Sequence, residues 1–245
     1  MRKLCRLVLI VLVLAVAACG GPQHRLHHTV LENPDKILPK KVVMLPADIV
    51  VNELSAGGVV EEVPEWSELA RKNISIALAA HAAENPKFEY VKLPKLSKEQ
   101  QEKLDLQLAF YDVVGGTAYD TTRNPGKAWQ HKLAHFDYSI GDGLKFIKEQ
   151  TGADAGIVVS AVDFVPTDER KAMWVAGQLV GVALWMGNPI VFVGIVDFET
   201  GNILWMNFAL EGSFSDLRDE KDAGSVLTKL FKLYPGIDKY TVAKK

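Results

Sequence analysis

The chain has 245 residues, with 28 basic and 30 acidic side chains and a net charge of −2. No basic tract is present to neutralise a phosphate backbone, which excludes polynucleotides as partners. Nearly half of the residues are hydrophobic and only two are cysteine, so stability must come from an apolar core rather than a disulfide framework.

Arg2, Lys3 and Arg6 precede a twelve-residue apolar run, Leu7 to Ala18, that closes on Val16-Ala17-Ala18-Cys19-Gly20. As a helix this run would span about 18 Å against a hydrocarbon core of ~30 Å, which predicts an export signal rather than a permanent membrane span. Small residues at 17 and 18 followed by a thiol resemble the lipobox of bacterial lipoproteins. The resemblance implies that residues 1–18 are cut away as a signal peptide, that Cys19 takes a diacylglyceryl thioether, and that the new amino terminus is acylated. Gly20 and Gly21 stand where that family places an aspartate for inner-membrane retention, so the expected destination is the outer membrane. The periplasmic side is the working expectation there, with the other face left open. Cleavage leaves 227 residues with 25 basic and 30 acidic side chains, a net charge of −5, and removes Cys5, so no disulfide can form.

Residues 19–40 read as the lipidated cysteine and a polar tether. His24, His27 and His28 fall inside it without a neighbouring cysteine or carboxylate to complete a metal site. Residues 41–245 are expected to form a single α/β domain.

Lys41 to Pro46 is a short apolar run closed by proline, the profile of a buried strand, and Ile49 to Val51 is a second extended piece before a turn at Gly57-Gly58. Pro64 to Ala83 carries apolar residues three or four apart behind acidic first-turn residues and predicts a helix stopped by Asn85-Pro86. Phe88 to Leu93 reads as a short strand. Ser97 and Gln100 form a capping box that opens a helix with Leu104, Leu108 and Tyr111 on its buried stripe. Gly115-Gly116 is expected to end that helix near Tyr119, with a loop from Thr117 to Lys127 that turns at Asn124-Pro125-Gly126. Ser139 to Gln150 predicts a shorter helix with Gly152 as its left-handed cap.

Ala155 to Val165 is nearly apolar throughout, as a strand covered on both faces would be. Pro189 to Phe198 and Asn202 to Leu210 are too close in sequence to be anything but an antiparallel hairpin. A last helix covers Asp216 to Tyr234. Between these, Ala172 to Met186 holds no charge and places Gly177 and Gly181 four apart. Fifteen residues are too few for a comfortable membrane span, so a buried helix or a strand pair with glycine bulges is expected, with an oligomer or membrane contact through Gly177, Gly181 and Trp185 as the other readings.

The early strand ending in proline, the Gly-Ala-Asp-Ala segment at 152–155 and the hairpin Asp197-Phe-Glu-Thr200-Gly201-Asn-Ile-Leu-Trp205 together resemble the envelope lipoproteins that share the TolB amino-terminal fold, the group of CsgG and LpoB. The resemblance implies a mixed central sheet flanked by helices in three layers. It also implies an accessory or assembly role carried out through another envelope protein or through copies of the same chain. In it Thr200 and Gly201 make the turn and Trp205 caps the core after it.

Chemistry offers less. His131 and His135 are spaced for one helix face near Asp137, with His81 elsewhere, but the glutamate of a zincin is missing and no metal or cofactor is expected. No nucleophile elbow exists, Ser160 sits within an apolar strand, and Gly141-Asp142-Gly143 lacks what a phosphate loop needs after it. Asp163 and Asp197 could stand together at strand ends as an acid–base pair, although solvated strand ends are the plainer reading. The expected protein is not an enzyme. The alternative is a periplasmic lipoprotein that binds a small ligand or glycan between Trp129, Trp174 and Trp185.

Overall fold

In a computed structural model, residues 24–84, 88–123, 129–212 and 215–235 are described. The signal peptide, Cys19 and the turns at Asn85-Pro86 and Asn124–Gly126 lie outside them. One mixed sheet organises the body. Its strands are β1 (Arg25–Leu26), β2 (Lys41–Met44), β3 (Asp48–Leu54), β4 (Val60–Glu62), β5 (Glu89–Val91), β6 (Ala155–Pro166), β7 (Ile190–Asp197) and β8 (Ile203–Leu210). The order across the sheet is β1-β8-β7-β6-β2-β5, and β3 continues beside β6 beyond the end of β2 and pairs with β4. Pairings of β6 with β2 and β3 are parallel, while β6 with β7, β7 with β8 and β8 with β1 are antiparallel.

The helices are α1 (His28–Glu32), α2 (Pro34–Ile37), α3 (Pro64–Glu84), α4 (Lys98–Arg123), α5 (Gln130–Ala134), α6 (Lys145–Thr151), α7 (Asp168–Leu179) and α8 (Glu220–Phe231). Successive strand residues point to opposite faces of the sheet, so each strand feeds two cores. Val42, Ile157 and Val159 join Ile74 and Leu78 of α3 and Val226 and Leu230 of α8. Val43 and Val158 join Leu104, Leu108 and Tyr111 of α4 and Leu144 and Ile147 on the other side. The result is a sheet flanked by helices, a three-layer arrangement in general terms.

Four differences from the sequence expectations have physical causes. The stretch expected as a tether is built into the body from residue 24: β1 pairs with β8, and Leu26 and Val30 are fully buried in the first core. Isolated apolar residues in a polar segment carried this contact, and no periodicity announced it. Helix α4 runs past Gly115 and Gly116 to Arg123 because its inner face is packed: Ala118 and Thr122 are buried, and Gly115 lies over the Tyr111 ring. The expected helix at 139–150 forms only from Lys145. Ser139 instead bridges to Asn202, while Ile140 and Leu144 are still buried. The uncharged segment 172–186 is not a core helix. Most of its residues face solvent.

Candidate contact surfaces

Helix α7 is inverted relative to an ordinary surface helix. Thr167 caps it, its hydroxyl accepting the amide of Arg170 at 3.3 Å. Its inward side carries Arg170 and Gly177, both buried, and the half-buried Trp174, while Ala172, Val175, Ala176 and Leu179 look outward. Arg170 earns its burial by hydrogen bonding: Nε and Nη2 donate to the Trp185 carbonyl at 2.9 and 2.5 Å, and Nη1 donates to the carbonyls of Ser55 and Ala56 at 3.2 and 3.3 Å. The guanidinium therefore ties α7 to its own return loop and to the turn after β3. Three saturated carbonyls around one cation make this a firm clamp.

Gly177 and Gly181 do not form a helix-packing pair. The helix ends at Leu179, and Gly181 follows in the left-handed region at φ 75°. The Val182 amide donates back to the Gly177 carbonyl at 2.8 Å and Gly181 to Gln178 at 3.4 Å, which is a Schellman cap. A Cβ on Gly177 would sit 2.8 Å from the Val182 carbonyl oxygen, so glycine is required there by the turning chain. The periodicity of the two glycines was real, but it encodes a helix stop. Beyond it Trp185 packs edge-on against Phe164, and its indole Nε1 donates to Asn188 at 3.1 Å. Met173, Val175, Val182 and Trp185 are about half exposed, and Leu179 and Val180 are 85% and 76% exposed.

A second apolar surface lies on α4. Ser97 and Gln100 exchange the two hydrogen bonds of a capping box, at 3.0 and 3.2 Å. From this fixed start, Leu104, Leu108, Tyr111 and Ala118 turn inward. Leu106, Phe110 and Val113, spaced four and three apart, form an outer ridge that is 67%, 47% and 65% exposed. Beside the ridge lies an open hollow of about 300 Å³ lined by Lys103, Leu106, Gln107, Gly143 and Phe146. The signal for this ridge is a second apolar stripe on one helix, at Leu106, Phe110 and Val113, beside the stripe that faces the core.

The remaining candidate residues do not assemble into a reacting site. Asp163 and Asp197 stand at opposite ends of the sheet, since Asp197 pairs with Ala155, eight residues from Asp163 along β6. Asp163 is fully buried: its carboxylate accepts the amides of Phe164 at 2.7 Å and Leu217 at 2.9 Å, and its burial pushes its pKa up to about 6. Asp197 caps the hairpin turn by accepting the amides of Glu199 and Thr200 and the Thr200 hydroxyl. Gly201 is left-handed at φ 69°, and Trp205 is fully buried between the rings of Phe231 and Tyr234. Ser160 lies opposite Asp48 in the β3–β6 register, and both interact with Asp112, whose pKa burial lifts to about 6. This carboxyl pair had no motif to reveal it.

The histidines pack as rings. His135 stacks on His28 with centroids 3.7 Å apart, His131 lies beside Trp129, and His81 stacks on Phe231 in the other layer. Burial, with His28 next to it, lowers the His27 pKa to about 4. The tryptophans of the ligand reading do not converge either. Trp174 and Trp185 belong to the α7 surface, Trp129 precedes α5, and none of them lines the hollow beside α4.

No family model matches the chain, and no curated protein matches it. Among solved structures it is similar to the PelC dodecamer from Paraburkholderia phytofirmans, at 13% identity over 78% of this chain and 84% of that one, with a TM-score of 0.29. It is also similar to the LpoB C-terminal domain from Salmonella enterica, at 14% identity over 76% of this chain and 95% of that one, with a TM-score of 0.25. This is a weak structural similarity that assigns no family. No helix among the described residues is long and apolar enough to cross a membrane.

Proposed function

We propose that the chain is a lipid-anchored accessory or assembly protein of the bacterial envelope. It is held on the outer membrane through Cys19 and acts without catalysis by docking another envelope protein, or a second copy of itself, on the outer ridge of α4. The observation that carries this reading is the second apolar stripe of α4. Among the described residues Leu106, Phe110 and Val113 stay largely exposed and join neither core, although the opposite face of the same helix is buried. An apolar ridge beside a hollow with Lys103 and Gln107 at its rim has the anatomy of a contact surface, with a dry centre and a polar margin. The lipobox-like sequence around Cys19 supports the location.

A photo-crosslinking residue placed at Val113 in cells tests the proposal. One discrete adduct, identified by mass spectrometry as an envelope protein or a second copy and lost on Phe110→Glu, is the expected result. Only uncrosslinked monomer, with probes at 106, 110 and 113 alike, would refute the ridge as a docking site.

A further inference from the structure

We propose that the apolar cap made by α7 and its return loop seats in the interfacial layer of the same membrane that holds the lipid on Cys19. The inference rests on the Cys19 reading and adds to it a second, non-covalent membrane contact.

The first support is position. Helix α7 and residues 180–189 connect β6 to β7, and they lie at the end of the sheet where β3 and β6 finish, β7 begins and β8 stops. Strand β1 is antiparallel to β8, with Arg25 opposite Met206 and Leu26 opposite Trp205. Traced back towards the amino terminus, the chain therefore runs towards Leu210, which is the α7 end. Met206 to Leu210 covers about 13 Å at the usual strand rise. Cys19 precedes Arg25 by six residues, which reach at most ~20 Å. A membrane that holds an acylated Cys19 can thus extend to the level of the cap, because that reach exceeds the rise from Met206 to Leu210. Across the sheet, β1 and β6 are three strand spacings apart, about 14 Å. One membrane face can therefore receive both anchor and cap.

The second support is chemistry. Fifteen residues, Ala172 to Met186, carry no charge, and their outward side chains are those of an interfacial segment: Met173, Val175, Leu179, Val180, Val182 and Trp185. The indole of Trp185 is half exposed, with one side against Phe164 and its N–H engaged by Asn188, an apolar body with a satisfied polar tip such as tryptophan presents at a membrane boundary. Charged groups of α7 are confined to its first turn, where Lys171 pairs with Asp168. The Arg170 clamp and the Schellman cap hold this surface in place before it meets lipid.

The third support is size. The exposed apolar area is on the order of 500 Å², the largest an ordinary monomer shows. A patch of that size can sink about 5–10 Å into the headgroup boundary and add its contact to acyl chains already present.

The full mature protein, isolated from cells fed a labelled fatty acid, is reconstituted into vesicles of phosphatidylethanolamine and phosphatidylglycerol, with and without bromine high on the acyl chains. Bromolipid should quench at least half of the emission that disappears in Trp185→Phe. The double variant Leu179→Glu, Val180→Glu should abolish that quenching while its melting temperature stays that of wild type. Fatty-acid label with unquenched Trp185 would overturn the cap and leave the anchor standing. A Trp185 emission shifted to the blue without quenching, together with a doubled mass, would overturn it in favour of a second copy. If no label is incorporated, the Cys19 reading fails. The quenching, measured at high lipid, then judges the cap alone: its presence supports a lipid contact and its absence refutes one.

Discussion

Replacing Asp163 by asparagine should change how stability depends on pH, and the structure fixes both sign and size. The Asp163 carboxylate is sealed inside the first core, where loss of water outweighs the two amide hydrogen bonds and nearby Arg218, while Asp216 adds to the rise. Its pKa moves from 3.8 to about 6. Between those values the folded protein holds a proton that the unfolded chain has shed, so stability falls as pH rises through this window and is fully retained only below it. At 1.36 kcal/mol per pKa unit the loss amounts to about 3 kcal/mol by neutral pH. Asparagine cannot titrate. It forfeits one amide hydrogen bond, at about 1–3 kcal/mol, but does so equally at every pH. The stability difference, wild type minus Asp163→Asn, should therefore shrink by about 2–3 kcal/mol between roughly pH 4 and pH 7.5. His27, whose lowered pKa acts in the opposite direction, and Asp112, raised like Asp163, are common to both proteins and cancel in the difference. Urea unfolding of the unlipidated mature chain, followed by tryptophan fluorescence across this range, reads the quantity directly. Parallel profiles, or a variant that loses ground as pH rises, would refute the reasoning.

Two further substitutions probe the steric claims. Gly194 of β7 lies under the buried ring of Tyr111, and a Cβ there would sit 2.7 Å from the ring carbon bearing the hydroxyl. Gly194→Ala should cost about 1–3 kcal/mol, and most of it should return in a Tyr111→Leu background; additive losses in the double-mutant cycle would disprove the contact. In the hairpin turn, Gly201→Ala should destabilise more than Asp197→Ala. The added methyl meets the backbone at Gly141 in a left-handed conformation, whereas loss of the Asp197 carboxylate frees exposed turn amides for about 1–2 kcal/mol; the reverse ranking in thermal melts would show the turn misassigned.

The framework was legible because buried strands and packed helix faces leave repeating apolar patterns. β6 to β8, α3 and the capping box of α4 all fall where such patterns place them. What escaped was set by tertiary context. Two residues of β1 are too few for any period, yet they close onto β8 and bring His24 to His28 into the body. Gly115 and Gly116 lower helix propensity, but the packed face of α4 outweighs them. The hardest case is α7. Its composition announces burial, and in a chain without disulfides the core was the natural destination. Composition cannot say which side of the sheet's end a segment lies on, and the outward side of α7 is left uncovered by the described residues. An exposed apolar surface was therefore encoded as an apparent excess of core. The acidic pair Asp48 and Asp112 left no trace, because 64 residues separate its members.

Asn207, fully buried in β8, donates from its side-chain nitrogen to the carbonyl of Leu230 at 2.9 Å, while its side-chain oxygen takes the amide of Phe208, also at 2.9 Å. Among the described residues, this stretch of β8 continues past its pairing with β1. A strand added along this rim would find the Phe208 amide already engaged by a side chain that α8 holds in place, which removes one donor from the ladder it could form. Asn207 thereby blunts this part of the rim as a template for edge-to-edge pairing, and does so from inside the core rather than with a surface charge.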